Sequence, residues 1–401
     1  MPDSTHFGQI ALDHTRWIME TIGGRSSCSP EERRAAEYVT GQLKRLRVSQ
    51  VELEPFRAAK STYWPPVLAF TTALVGVLVV LLIDNRWAFL LAALLNMMAV
   101  WGFWNELDLN PSWLRRFTPF GDSQNAIGVI LPVQEVRRRV VICAHLDTHR
   151  APLYTSTVTW QKLFNLLLLL AFMSMVLGGV AFFLGFLLNL DWTRWVGLVA
   201  APMLIFALVI SIQAHGAAVS PGANDNTASV GVALALAKAL TAEPPAHVET
   251  WLVFTGCEEV GAYGMSAFLD AHAAELEPEA IYLVLEQIGT GFPQLITAEE
   301  LIIKRPTQNE VLSLGRQASA VLPEVQLTEK IGEAYSDAMP AIKRGLAALT
   351  ITGNQATIGE ISHWHQLSDT MEHIYLESLQ QAFSLALELV RQVDNATSPE
   401  S

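Results

Sequence analysis

Along the chain, hydrophobic and polar positions follow three rhythms. The first is unbroken: residues 66–83, 88–105, 163–190 and 195–214 carry no charge, with the turn DNRW inside the first pair and DWTR inside the second. Each run has about the ~20 residues that cross a bilayer core as a helix. None shows the polar stripe of a surface helix. Two transmembrane hairpins are expected.

The second rhythm is brief. AIGVILP (126–132), RVVICAH (139–145), TWLVFTG (250–256), AIYLVLE (280–286) and LAALTI (346–351) are short apolar runs, the pattern of strands covered on both faces. VELEPF (51–56) reads as an edge strand. The third rhythm is helical. It covers PEERRAAEYVTGQLKRL (30–46), with Ser29 placed to cap it and Pro30 in its first turn, and then 227–240, 262–276 and 375–393. The expected fold class is α/β, a mostly parallel sheet between helix layers. Residues 1–62, 106–160 and 215–395 would form this domain, interrupted by hairpins over 63–105 and 161–214 and followed by a disordered tail, 396–401.

Composition sharpens the membrane reading. Of the 401 residues, 51% are hydrophobic and only 16% charged. Seven of eleven tryptophans (Trp64, Trp87, Trp101, Trp104, Trp160, Trp192, Trp195) sit at or near the ends of the apolar runs, as an interfacial belt would. Near the span ends, one side carries Arg57, Lys60, Arg115, Arg116, Arg150 and Lys162, the other only Arg86 and Arg194. The positive-inside rule then puts the soluble mass in the cytoplasm. The expectation is a multi-pass integral protein of the bacterial inner (plasma) membrane, with the lipid bilayer as a partner. Spans without an internal charge offer no transport path; Asn96 and Asn165 read as interhelical contacts.

Acidic residues outnumber basic ones, 39 to 26, for a net charge of −13, which argues against a nucleic-acid groove. The N-terminal MPDSTHFGQIALDHTRW has neither a basic nor an apolar leader region, so no cleaved signal peptide is expected. Three cysteines at unrelated spacings (Cys28, Cys143, Cys257) imply no disulfide framework and no structural zinc knuckle. Cys143 and Cys257 read as packing residues at strand ends.

The chemistry gathers behind the strands. RVVIC runs into AHLDTHR, with His145 and Asp147, and TWLVFTGC into Glu258 and Glu259. AIYLVL ends in Glu286, SPGANDNTASVG supplies Asp225 and Asn226, and ISHWHQLSDTMEHI offers His363, His365 and Asp369. Sites in such sheets form outside the carboxyl ends of the strands. Imidazole and carboxylate together suit two Zn²⁺ ions about 3.5–4 Å apart, and one further carboxylate must stay off the metal to take a proton from water.

This ordered set resembles the di-zinc exopeptidase family of bacterial leucyl aminopeptidases and glutamate carboxypeptidase, the M28-like peptidases. The resemblance runs through IGGRSSCSPEERRAAEYVTGQLKRL, AHLDT, GANDNTASVG, FTGCEEVGAYGMSAFL, LVLEQIG, YSDAMPAIKRGLAALTI and HQLSDT. It implies two zinc ions per chain. His145 and Glu286 would serve the first, with Asp147 behind His145, and Glu259 and His365 the second. Asp225 would bridge both, Asn226 would shape its loop, and Glu258 would be the general base and acid. Implied, too, is hydrolysis of peptides from the amino terminus by a metal-bound hydroxide.

The chain departs from the family pattern at Glu286, where Asp is usual, at Trp364, where several relatives have Tyr, and at SDAMPAI (336–342), where SDH is usual. The loop between His145 and Asp225 also contains the whole second hairpin, which would hold the site close to the membrane. His363 is expected to be structural, with a place in the same loop that would let it stand in for His365 as the ligand. His149, His215 and His373 read as polar residues near the membrane or in caps. Two alternatives remain beside the peptidase: a glutaminyl-cyclase-like acyltransferase with a single zinc, and a non-catalytic, transferrin-receptor-like binding module. Oligomeric state has no signal in the sequence.

Overall fold

The structure, a computed structural model, describes residues 4–354 and 363–396. From residue 397 on, the expected tail lies outside the described residues. In chain order, helices α1 (Ser4–Thr21) and α2 (Pro30–Arg45) lead to strand β1 (Gln50–Ala59), and α3 (Trp64–Leu82) and α4 (Arg86–Leu107) follow. Next come β2 (Phe120–Ile130), β3 (Arg138–His145), α5 (Val158–Leu188), α6 (Arg194–His215), α7 (Ala228–Ala242), β4 (Val248–Thr255), α8 (Tyr263–Leu276) and β5 (Ile281–Glu286). The chain closes with β6 (Phe292–Glu299), β7 (Arg305–Pro306), α9 (Asn309–Ala320), β8 (Thr328–Ile331), α10 (Ala338–Lys343), β9 (Ala347–Asn354) and α11 (Leu376–Ala396). Two compact units result: Met1–Ala58, Phe120–His149 and Val219–Ser401 form one, Ala59–Pro119 and Arg150–Ala218 the other.

The first unit is built on a nine-stranded sheet of order β1-β2-β4-β3-β5-β9-β6-β7, with β8 beside β6. Its centre is parallel: β4 with β3, β3 with β5, β5 with β9. Toward the ends it is not, because β2 runs antiparallel to β4, and β6 antiparallel to β9 and β7. The mostly parallel sheet expected from the apolar runs is therefore a mixed one. The short links 131–137, from β2 past β4 to β3, and 287–291, from β5 past β9 to β6, cannot carry the chain back to the starting end of the sheet as a parallel connection must, so β2 and β6 run against the centre.

Continuous apolar strands serve two layers at once. On β3, Val140, Ile142 and Ala144 join the cluster under α1, α2, α7, α9 and α11, while Val141 and Cys143 join the cluster under α8 and α10. Each fully buried Val or Leu contributes roughly 1.5–3 kcal/mol, which is why central strands read as unbroken apolar runs. On α2, the Ser29 side chain accepts from the Glu32 N–H at 3.1 Å, the cap expected from the sequence. Helices α1 and α9, which bury one face at helical spacing (Ala11, Thr15 and Ile18; Val311, Leu312, Gly315 and Ala318), and strands β6 to β8 come in addition to the elements expected from the sequence.

The second unit contains, among the described residues, four helices long and apolar enough to cross a membrane. Small residues bring them together. A side chain on Gly76 would meet Asn96 Nδ2 at 2.6 Å, and one on Gly178 would meet Asn96 Oδ1 at 3.1 Å. Asn96 Nδ2 donates to the carbonyls of Ala92 at 2.9 Å and of Ala73 on α3 at 3.4 Å. Trp87, Trp101, Trp104, Trp160, Trp192 and Trp195 are exposed on the surface of the unit. In the turns, Arg194 Nη2 pairs with Asp84 at 2.8 Å.

Candidate metal centre

Parallel strands put their carboxyl ends at one edge, and that edge receives the predicted side chains. His145 ends β3 and Glu286 ends β5, while Glu258 and Glu259 follow β4. Asp225 arrives in a tight turn over Ala223–Thr227 that precedes α7. Gly222 opens this turn at φ +70, and a side chain there would collide with Thr148, so glycine is required on two counts. His365 lies in the loop before α11.

Two clusters share Asp225. His145 Nε2 lies 3.2 Å from Asp225 Oδ1 and 3.4 Å from Glu286 Oε2. His365 Nε2 lies 3.3 Å from Asp225 Oδ2 and 3.2 Å from Glu259 Oε2. Donor atoms held by one tetrahedral zinc at bonds of about 2.0–2.2 Å are separated by roughly 3.3 Å; both clusters have that spacing. Asp225 Oδ1 and Glu259 Oε1 are buried with no hydrogen-bond partner, which is costly for a carboxylate unless a cation meets it. The donor set thus fits zinc, with His145 and Glu286 on one side of Asp225 and Glu259 and His365 on the other. Glu258 stands beside them, its Oε2 4.0 Å from His145 Nε2.

The supports are a ring of buried polar groups. His145 Nδ1 hydrogen-bonds to the main-chain carbonyl of Asp147 at 3.0 Å, whereas the Asp147 carboxylate is 3.6 Å away. The carbonyl therefore fixes the ring with Nε2 toward the carboxylates. The Asp147 carboxylate instead accepts from the N–H groups of Glu258 (3.0 Å) and Glu259 (3.2 Å) and from Ser27 Oγ (2.6 Å). Asp369 holds the Asp225 turn by accepting from the N–H groups of Asn224 (2.8 Å) and Asp225 (3.0 Å). Asn226 Nδ2 donates to the Leu285 carbonyl at 3.0 Å, and its Oδ1 accepts from the Gln287 N–H at 3.0 Å, tying the turn to the end of β5.

Arg25 is the largest of these supports, and no strand or helix signal in the sequence marks it. Fully buried, its guanidinium donates to the carbonyls of Leu146 (2.7 Å) and Gly23 (2.6 Å) and to Thr227 Oγ1 (2.7 Å). Burial pulls its pKa down to about 10, against the pull of Asp147 and Asp369. Glu32 is likewise buried and accepts from the N–H groups of Cys28 (3.0 Å) and Cys257 (2.8 Å) and from Ser123 Oγ (2.9 Å). Burial first, then the Asp147 charge, pushes Glu32 up to about 8.

Packing so many carboxylates together has an electrostatic consequence. Burial raises Glu258 well above the usual carboxylate range, with Glu259 and Glu286 adding to it against His145. Burial raises Glu259 to about 7 and also raises Glu286. Burial would lower His365, but Glu259 and Asp225 outweigh it and bring it to about 9. Burial would lower His145 as well, but Glu286, Asp147 and Asp225 outweigh it and hold the imidazole well above its ordinary range.

Other side chains are placed differently from expectation. His149 is buried and lies flat against His365, ring centres 3.7 Å apart at 17°; it is part of the site rather than a cap. Its donor atom is within 4.8 Å of those of Glu259 and His365, yet a metal bonds imidazole in the ring plane, and two nearly parallel rings have no common in-plane point nearby. By their ring planes, His149 packs against His365 and the two do not address one common point. Trp364 stacks beside His365 at 4.0 Å. His363 stacks on His373 at 3.7 Å and meets Ser368 Oγ at 2.8 Å, away from the clusters. Asp337, in the SDAMPAI segment, accepts from Thr255 Oγ1 at 2.5 Å.

Residues 207–390 match the family model of Peptidase family M28, so the M28-like resemblance drawn from the motifs holds there. Over 183 residues the chain is 30% identical to Aminopeptidase YwaD of Bacillus subtilis (strain 168), covering 44% of this chain and 39% of that protein. The chain thus matches about two fifths of the length of that relative. Among solved structures, BSAP, a zinc aminopeptidase from Bacillus subtilis, aligns with a TM-score of 0.57 at 15% identity, over 96% of this chain and 94% of that one. A glutaminyl cyclase from an Acidobacteriales bacterium gives 0.57 at 16% identity, over 97% and 95%. At such identities the likeness establishes the fold, a mixed α/β architecture shared by both enzyme types.

Proposed function

We propose that this chain is a zinc-dependent metallo-exopeptidase of aminopeptidase type, anchored in the bacterial plasma membrane by four helices with its α/β unit in the cytoplasm. The carrying observation is the pair of imidazole–carboxylate clusters that share Asp225, with Glu258 beside them. His145, Glu286 and Asp225 would hold one zinc, and Asp225, Glu259 and His365 the other. Bound zinc supplies Lewis acidity that polarises a peptide carbonyl and acidifies water. Glu258 moves the proton: a carboxylate oxygen takes it from the attacking water and returns it to the leaving amine nitrogen. Asp147 orients that step by gripping the N–H groups of Glu258 and Glu259.

Substrate polarity favours the amino terminus. Among the described residues, the ion pairs of Asp225, Glu258, Glu259 and Glu286 are made to histidines, and Arg25 is enclosed with its donors on carbonyls and Thr227. Arg25 is thus engaged away from any substrate, whereas a carboxypeptidase needs a cation for the terminal carboxylate; a substrate with a free amino terminus fits better. Glu258→Gln should retain two zincs and lose turnover by about 10²–10⁴-fold; wild-type activity in that variant would remove the assignment. A peptide panel tests polarity, since hydrolysis of N-terminally blocked peptides alone would overturn the aminopeptidase choice. Reporter fusions at both chain ends should be active in the cytoplasm; periplasmic activity reverses the orientation.

A second reading, a glutaminyl-cyclase-like acyltransferase, draws on Trp364 stacked beside His365. One zinc per chain, together with cyclisation of N-terminal glutaminyl peptides, would replace the peptidase with it.

A further inference from the structure

Two of the three cysteines in the chain meet. Cys28 Sγ and Cys257 Sγ lie 3.5 Å apart, although 229 positions separate them. Neither is in a disulfide. They sit in a small apolar cluster of their own with Ala58 and Val260, against Phe56 and Tyr263. Packing alone would explain two small apolar side chains there. It does not explain where they stand: the loop carrying Cys28 also carries Ser27, which holds Asp147 at 2.6 Å, and Cys257 immediately precedes Glu258 and Glu259.

We infer that Cys28 and Cys257 form a redox-modification site, a dithiol that takes a low-molecular-weight disulfide as its oxidant and closes into a Cys28–Cys257 disulfide. Access sets the order of events. Cys28 is partly exposed and Cys257 fully buried, so the reagent disulfide meets Cys28 first. Cys28 Sγ bonds to one reagent sulfur and the reagent S–S bond breaks, releasing one small thiol. Cys257 Sγ then attacks Cys28 Sγ and expels the second. The two protein thiol protons end on the two released thiols, and the protein has lost two electrons to the reagent.

The bond is close to formed and is not free of consequence. An S–S bond of ~2.05 Å is about 1.4 Å shorter than the present separation, so the two loops must draw together. The N–H of Cys257 is held by Glu32, and those of Glu258 and Glu259 by Asp147, which leaves this strand end little slack. Displacement of a reacting group by about 1 Å costs up to ~10²-fold in rate. Oxidation is therefore expected to lower turnover ten- to a hundredfold, reversibly. This activity arm rests on the peptidase reading; the disulfide itself does not.

The test uses the full-length chain in detergent micelles, exposed to oxidised glutathione and then alkylated. Peptide mass spectrometry should find Cys28 joined to Cys257, with Cys143 alone alkylated in the unfolded protein. Turnover should fall at least tenfold and return with dithiothreitol, while Cys28→Ser should keep its activity throughout. Three alkylated cysteines, or glutathione retained on Cys28 with no bond to Cys257, would overturn the site. A Cys28–Cys257 bond with unchanged turnover would overturn its control of the enzyme. Should the reduced protein cleave no peptide, the peptidase reading fails, and the mass measurement still judges the dithiol.

Discussion

The imidazole of His149 lies flat on that of His365, with ring centres 3.7 Å apart. Since nearly parallel rings cannot direct their nitrogens at one cation, His149 is a wall for the ligand, and any flat ring should replace it. His149→Phe is expected to keep two zincs per chain and most activity. His149→Ala should weaken the zinc held by His365 and Glu259 by about 10–100-fold, as loss of a ligand's outer support does. Metal titration followed through a cobalt-substituted spectrum measures both; loss of the second metal in the phenylalanine variant would make His149 a ligand.

Arg25 donates to carbonyls on two separate segments and to Thr227 on a third. Arg25→Met would leave several buried acceptors without donors, at roughly 1–3 kcal/mol each. A fall of several degrees in thermal midpoint is expected, together with weaker metal retention. Arg25→Lys should not rescue it, because a single ammonium point cannot reach what the planar fork reaches. Differential scanning fluorimetry in detergent distinguishes the three proteins.

Metal removal should be felt as stability. Chelation would return Asp225, Glu258, Glu259 and Glu286 to mutual repulsion in a buried site. A ligand present at about a thousandfold its Kd stabilises by roughly 4 kcal/mol. The melting midpoint should therefore drop on treatment with a chelator and recover on adding zinc. An unchanged midpoint would show that the clusters hold no metal.

A pH effect remote from the metal centre comes from His14. Burial, with Lys238 adding, lowers it to about 4 against the pull of Asp13, and its Nδ1 meets Tyr38 Oη at 2.7 Å. The folded chain therefore refuses a proton that the unfolded chain accepts below its ordinary value of 6.5. This contribution to stability is complete above pH 6.5 and is lost as pH falls from 6.5 to 4, on the order of 2 kcal/mol. Melting curves of wild type and His14→Gln between pH 7.5 and 4.5 should show the steeper acid loss in wild type.

The sequence discloses those parts of the molecule whose chemistry is local. Four uncharged runs declare their helices, since a lipid-facing helix is apolar in every direction and needs no partner to be recognised. Strands β3, β4, β5 and β9 declare themselves because both faces are covered, and their last residues point to His145, Glu258, Glu259 and Glu286. Strands β6 to β8 stay hidden, as their pairing depends on neighbours distant in the chain. Hidden too are Arg25 and Glu32, which reach partners 121 positions away at Leu146 and 225 away at Cys257. His149 is legible as a histidine and illegible as a stacking partner, for the stack forms only when residues 149 and 365 are folded together.

The α/β unit is threaded from three lengths of chain, Met1–Ala58, Phe120–His149 and Val219–Ser401, strung alternately with the two that make the helical bundle. An ectodomain or enzyme tethered by a single helix can be shed with one proteolytic clip at its stalk. Here there is no stalk. A clip at any one of the four junctions leaves the rest of the unit covalently threaded to the bundle, and complete release would take four cuts and leave the unit in three pieces. On the proposed reading of a membrane-anchored peptidase, the abundance of the activity is thereby bound to the turnover of the whole chain.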